Sequence, residues 1–92
     1  MEDTKYKIIA LGVNTDTKFF NSLLVLKQWC THTEFEYETV YVTHENLDEL
    51  TNKFSITSIP FFILFDTKLG VEVTSIEGNL NTRKLNAMLN FI

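Results

Sequence analysis

Residues Tyr6–Gly12 carry Ile8, Ile9, Ala10 and Leu11 in unbroken succession. Side chains of a strand point alternately to its two faces, so a run this apolar is at home only where both faces are covered. The rest of the chain must therefore supply layers on either side of this strand. It has 92 residues in which to do so, enough for one core and too few for two.

After this run the period of the sequence changes. Asn14, Thr15, Asp16 and Thr17 are all good helix starters, and Phe19, Phe20, Leu23, Leu24, Val25 and Leu26 follow at helical spacing up to Trp29, which predicts a first helix. Residues 34–42 alternate instead, with Phe35, Tyr37, Thr39 and Tyr41 on one face and Glu34, Glu36 and Glu38 on the other, which predicts a second strand. A second, modestly amphipathic helix is expected over residues 45–54, where Leu47, Leu50 and Phe54 recur at intervals of three and four. Pro60 then opens the run Phe61-Phe62-Ile63-Leu64-Phe65. A polar turn at 66–70 and the alternation of Val71, Val73 and Ile76 complete a hairpin. Capping residues at 79–82 precede Leu85, Met88, Leu89 and Ile92, a third helix.

No repeat, low-complexity tract or linker interrupts this series, so residues 1–92 read as a single domain. The expected order is βαβαββα. A right-handed crossover makes the first two strands parallel and the hairpin adds two antiparallel ones, giving an α/β sandwich of two or three layers.

Composition removes several classes of function. The net charge is -4 and the eight Lys and Arg are scattered singly, so nothing offers a phosphate backbone a basic face, and no nucleic-acid partner is expected. No apolar run approaches the ~18 residues of a membrane span. Met1-Glu2-Asp3 begins with acids where a secretory signal carries positive charge, so no membrane is expected either and the expected location is cytoplasmic. The single cysteine, Cys30, has no partner for an internal disulfide, which suits a reducing compartment. His32 and His44 flank the second strand in polar surroundings, with no cysteine or regularly spaced carboxylate beside them, so no metal site is expected. Glu34, Glu36 and Glu38 read as a solvated strand face rather than an acid-base set, and no Ser/His/Asp order or Gly-rich phosphate loop is present.

Residues 50–65, LTNKFSITSIPFFILF, join a helix ending in Lys-aromatic to Ser-Ile-Pro at the mouth of an apolar strand. Phe65-Asp66, Gly70 and Ile76-Glu77-Gly78 follow at matching spacing. In order and spacing these pieces resemble the thioredoxins, and the resemblance extends back through the second strand and first helix to cover residues 6–92. It implies a thioredoxin-like fold, with a four-stranded mixed sheet and helices on both faces. It also implies a cis Ile59–Pro60 bond facing the start of the first helix, with the backbone at Ile59 pairing with an extended substrate.

The redox members of that family carry Cys-Gly-Pro-Cys followed by Lys where this chain has Asn14-Thr15-Asp16-Thr17 followed by Lys18. Dithiol exchange needs one thiolate to attack and a second thiol to resolve, and Asn14 and Thr17 can do neither. Ile8 stands about where redox members bury an acid, and Val13 where they usually place tryptophan. The expectation is therefore a protein that catalyses nothing and uses no cofactor, binding a protein or peptide partner as an adaptor or as a subunit of a larger complex. Its expected groove comprises Val13, Asn14, Thr15, Asp16, Thr17, Ser58, Ile59, Pro60, Gly78 and Asn79.

Other readings of these residues stay open. The polar residues 14–17 serve either as a plain helix cap or as a cradle, in which backbone N–H groups and the Thr15 and Thr17 hydroxyls hold a peptide carbonyl or an anion; Asp16 argues against the anion. Cys30 sits near the negative end of the first helix, where a thiolate is disfavoured, and reads with Trp29 as packing. The rival from another class is an enzyme: a monothiol oxidoreductase through Cys30, or a glutathione-using protein whose Thr15 or Thr17 hydroxyl polarises a bound thiol. A second binding surface is also conceivable on the sheet edge. Larger family members add a strand and a helix before the first strand, and residues 1–5 are too short to supply them. The second strand is then an edge, guarded by Glu34, Glu36 and Glu38 and open to strand addition at 37–42, from Tyr37 through Thr39 and Tyr41 to Val42.

Overall fold

The computed structural model describes residues 6–33 and 35–92. Its elements are β1 (Tyr6–Gly12), α1 (Thr17–Thr33), β2 (Glu36–Tyr41), α2 (Leu47–Phe54), β3 (Phe61–Asp66), β4 (Val71–Glu77) and α3 (Thr82–Met88), closed by a 3-10 turn at Leu89–Phe91. The strands form one mixed sheet in the order β2-β1-β3-β4. β1 pairs in parallel with β2, Lys7 opposite Glu36 and Gly12 opposite Tyr41, and antiparallel with β3.

The interior place of β1 explains its composition. Ile8 and Ala10 face one side, where they join Phe19, Leu26 and Trp29 of α1, Phe62 and Leu64 of β3, and Leu85 and Met88 of α3. Leu11 and the half-buried Ile9 face the other, with Leu50 and Phe54 of α2 and Phe61 and Ile63 of β3. Each such side chain taken out of water contributes about 1.5–3 kcal/mol, which neither face could supply if left wet. The sandwich thus has three layers, with helices on both faces. Two polar links hold α1 in place: the Trp29 indole N–H donates to Asn86 Oδ1 at 3.0 Å, and the buried Ser22 hydroxyl accepts from the Leu80 N–H at 3.0 Å.

Local chemistry moves several boundaries from their expected positions. α1 runs past Trp29 to Thr33, where the hydroxyls of Thr31 and Thr33 donate to the carbonyls of Lys27 and Trp29 at 2.9 and 2.8 Å. β2 begins at Glu36; Glu34, assigned to this strand above, lies outside the described residues, as do residues 1–5. α2 starts at Leu47 rather than at 45, because Asn46 closes a turn. Its side chain accepts from the Thr43 N–H at 2.8 Å and donates to the Tyr41 carbonyl at 3.0 Å. α3 takes Asn81 as its cap, with the Lys84 N–H donating to Asn81 Oδ1 at 2.9 Å, and stops at Met88; Leu89 and Ile92 are exposed instead of joining its apolar face.

The simple alternation expected for β4 is also corrected. Leu64 pairs with Thr74 but Phe65 pairs with Glu72, so Val73 is an extra residue in the strand, a β-bulge. Without the bulge Val73 and Ile76, an odd number of residues apart, would face opposite ways; with it both pack on the α1/α3 side. Val71 stays half exposed. The hairpin turn is closed by the buried carboxylate of Asp66, which accepts from the N–H groups of Lys68 and Leu69 at 2.9 and 3.0 Å. Gly70 finishes the turn in the left-handed region at φ +72°.

Candidate functional site

β1 and β2 are parallel, so the loops that leave their carboxyl ends emerge on the same side of the sheet, the usual place for a binding crevice in an α/β protein. At that end the Gly12 carbonyl accepts from the Val42 N–H at 2.8 Å. Gly12 has no room for a side chain, since a Cβ there would overlap the ring of Phe19. Phe19 therefore lies directly on the backbone of β1 and draws the first turn of α1 down over the strand end.

Between strand and helix, residues 13–16 form a turn in which the Asp16 N–H donates to the Val13 carbonyl at 3.0 Å. Asp16 Oδ1 accepts from the Lys18 N–H, also at 3.0 Å, so among the polar starters Asp16 is the one that caps. This occupies one of the helix's open donors and sets a carboxylate at its mouth, which opposes binding of an anion there. Asn14, Thr15 and Thr17 are exposed beside it.

The facing wall is built from residues 57–60 and 77–78. The Ile59–Pro60 bond is cis, and the carbonyl of the buried Pro60 accepts from the Gly78 N–H at 2.8 Å, with Gly78 at φ +79°. The Ser58 hydroxyl donates to Glu77 Oε1 at 3.2 Å, and the Thr57 hydroxyl donates to the same oxygen. Asn79 lies further round. Its carbonyl accepts from Lys84 Nζ at 2.7 Å, and it lines a depression of about 230 Å³ with Lys18 and Asn21.

The expected groove is thus divided. Val13 and Ile59 meet in one cavity of about 390 Å³, Ser58 and Pro60 are tied to Glu77 and Gly78, and Asn79 belongs to the flank of α1. Asn14, Thr15 and Thr17 line neither depression. The cavity also draws on Val42, Thr43, His44, Glu45 and Leu47, which the sequence reading did not include. The signal for them was available: they follow the end of β2 as Val13 follows the end of β1, and parallel strands bring such loops together. The walls are apolar and partly open, with Val13 37% and Leu47 40% exposed, while Thr43, His44 and Glu45 form a polar rim. Such a depression accepts an apolar side chain of a ligand whose backbone runs past the rim.

Cys30 lies elsewhere, buried in the α1/α3 core near the far end of α1. Burial pushes its thiol up from the ordinary 9.0 to about 11. At pH 8 the native protein is expected to react with iodoacetamide at least about tenfold more slowly than the urea-unfolded chain, measured by mass spectrometry. The folded thiol titrates above the unfolded one. Its contribution to stability is complete below the ordinary thiol pKa and lost as pH rises toward about 11, so urea midpoints should fall more steeply over that range in the parent than in Cys30→Ala. Equal alkylation rates in the two states would place the thiol at the surface.

No protein-family model matches the sequence, and no curated protein matches it. Solved structures do match. Thioredoxin f2 of Chlamydomonas reinhardtii superposes with a TM-score of 0.76 at 19% identity, over 98% of this chain and 81% of that one. Thioredoxin of Fasciola hepatica gives 0.75 at 18% identity, over 96% and 82%. The oxidised thioredoxin of Plasmodium falciparum gives 0.74 at 17% identity, over 95% and 81%. This chain has the thioredoxin fold, with the four-stranded mixed sheet and helices on both faces that the resemblance of residues 50–65 and their surroundings implied.

Proposed function

We propose that this chain is a non-catalytic thioredoxin-fold module that binds a protein or peptide in an extended form, as an adaptor or as a subunit of a larger assembly. It uses no cofactor and works in a reducing compartment such as the cytosol. One observation carries this reading: the apolar cavity between Val13 and Ile59 is intact, whereas the only sulfur of the thiol class is buried near the far end of α1 with its pKa raised to about 11. The scaffold keeps the means of holding a chain and lacks an accessible thiolate to act on it. The partner's backbone runs beside Ile59 while one of its apolar side chains fills the cavity, a burial that contributes about 1.5–3 kcal/mol.

The test has two arms. Purified protein is expected to leave insulin unreduced above the dithiothreitol background and to give no heat with glutathione in calorimetry. Insulin reduction that disappears in Cys30→Ser would instead establish the monothiol enzyme, and glutathione affinity lost on replacing Thr15 or Thr17 the glutathione-linked one. In affinity purification from the native source, Ile59→Asp and Val13→Asp are expected to lose the stoichiometric partner that the parent retains. Capture that survives both substitutions in folded protein would remove the cavity as the binding surface.

A further inference from the structure

Three carboxylates border the cavity of Val13 and Ile59, each on a different segment. Glu45 lines it directly. Asp16 closes the turn that begins at Val13, its N–H donating to the Val13 carbonyl. Glu77 accepts at 3.2 Å from the hydroxyl of Ser58, the residue before Ile59. It stands opposite Phe61 in the β3–β4 pair, and opposed residues share a face, so its side chain leaves the sheet on the side of Phe61 and α2, the side of Val42 as well. α2 itself opens with Asp48 and Glu49 directly behind Leu47. No Lys or Arg lines the cavity among the described residues. Lys7 and Lys53 line a separate depression with Ile9 and Phe65, Lys68 sits in the hairpin turn at the opposite end of the sheet, and Lys18 turns to the α1 flank with Asn79. An apolar hollow is thus rimmed by charge of one sign.

Given this cavity as the binding surface, the reading on which the inference rests, we propose that the peptide segment it takes is basic: one large apolar side chain fills the hollow, and Lys or Arg stands two residues away from it on at least one side. Side chains of an extended chain alternate, so the residues two before and two after the apolar one point the same way as it does, about 7 Å along the chain. They meet the rim and not the floor, and the rim offers Asp16, Glu45 and Glu77. A long cationic side chain suits that position. Its methylene stem lies on apolar wall that Val13 and Leu47 leave part exposed, while its charged head stays in water beside a carboxylate. Asp or Glu in the same position meets like charge from all three segments, so the rim rejects acidic segments as well as attracting basic ones.

The test uses fluorescence anisotropy with short labelled peptides, and circular dichroism to establish that each variant is folded. A probe with the core Lys-Thr-Leu-Thr-Lys is expected to bind at least about tenfold more tightly than Glu-Thr-Leu-Thr-Glu, an advantage that shrinks as salt is raised from about 0.05 to about 0.5 M. Lys-Thr-Ser-Thr-Lys, which has nothing to place in the hollow, should bind at least about tenfold more weakly than the first probe. Asp16→Asn/Glu45→Gln/Glu77→Gln should erase most of the preference for Lys over Glu and keep the preference for Leu over Ser; Asn at position 16 can still cap α1. Glu36→Gln/Glu38→Gln/Glu72→Gln removes the same amount of charge toward the opposite end of the sheet and should leave both preferences in place. If the first triple variant does not fold, Glu45→Gln alone should lower the preference for Lys at least about twofold. The inference is overturned if the Lys probe shows no saturable binding up to millimolar concentration, if the Glu probe binds as tightly, or if the two triple variants lose the preference equally. A Ser probe that binds as tightly as the Leu probe instead refutes the cavity as the binding surface.

Discussion

Phe19→Ala is expected to lower the unfolding free energy by about 3–5 kcal/mol, a large share of the 5–15 kcal/mol typical of a small domain. Phe19 is fully buried, and its ring centroid lies 6.1 Å from that of Tyr41, edge-on, and 6.3 Å from that of Phe62. It therefore joins α1, β2 and β3 at one point, and alanine leaves a cavity that three separate elements would have to close. Urea denaturation followed by circular dichroism measures the loss. A change below about 1 kcal/mol would mean that the first turn of α1 is not anchored by this ring. The consequence for binding follows from position: Val13 sits between the end of β1 and the helix that Phe19 holds down, so the cavity wall loosens with it.

The second large effect concerns the same contact from the other side. Gly12→Ala places a Cβ into the Phe19 ring and is expected to cost about 1–3 kcal/mol, the usual range for overpacking a filled core. The two changes should not add. In a Phe19→Leu background, where the planar ring is replaced by a branched side chain that can rotate away, Gly12→Ala should cost at least about 1 kcal/mol less than it does alone. A double-mutant cycle in urea reads this coupling directly. If the two costs sum to within about 0.5 kcal/mol, strand and ring are not in the close contact described. Glycine at this position is required by space and not by a turn, because the left-handed glycines are Gly70 and Gly78.

Much of the architecture was legible because its signals are local. The Ile8-Ile9-Ala10-Leu11 run announces a strand covered on both faces, and it lies inside the sheet between β2 and β3. The helical spacing from Phe19 onward predicts α1, although not its extension to Thr33, since threonine hydroxyls that donate back to the helix leave no periodic trace. The β4 pattern misled for a similar reason. Val73 and Ile76 were counted as alternating despite an odd spacing, and only a bulge opposite Leu64 and Phe65 brings them to the same side.

The placement of the candidate residues was legible in part. Val13 and Ile59 were paired through resemblance alone, and they share a cavity. The segments carrying Pro60 and Gly78 lie side by side, joined by the Gly78 N–H to Pro60 carbonyl bond. Asn79 was assigned to the groove but lies with Lys18 and Asn21, because the Lys84 ammonium and the Leu80 N–H to Ser22 bond direct that segment toward α1. Leu47 was counted as part of the apolar face of α2. It sits in the first turn of that helix, beyond the end of the sheet, so Leu50 and Phe54 are buried and Leu47 is left at the cavity.

What the sequence determined by itself was the order of elements, the place of β1, and the presence of a single cysteine, Cys30. All three depend only on residue type and on spacing along the chain. Tertiary structure decided which loops share the cavity, how deeply Cys30 lies and which strands lie outermost among the described residues. Each of these depends on strands meeting in a particular register, Gly12 beside Tyr41 above all, and that meeting joins residues about thirty positions apart, beyond the reach of any local period.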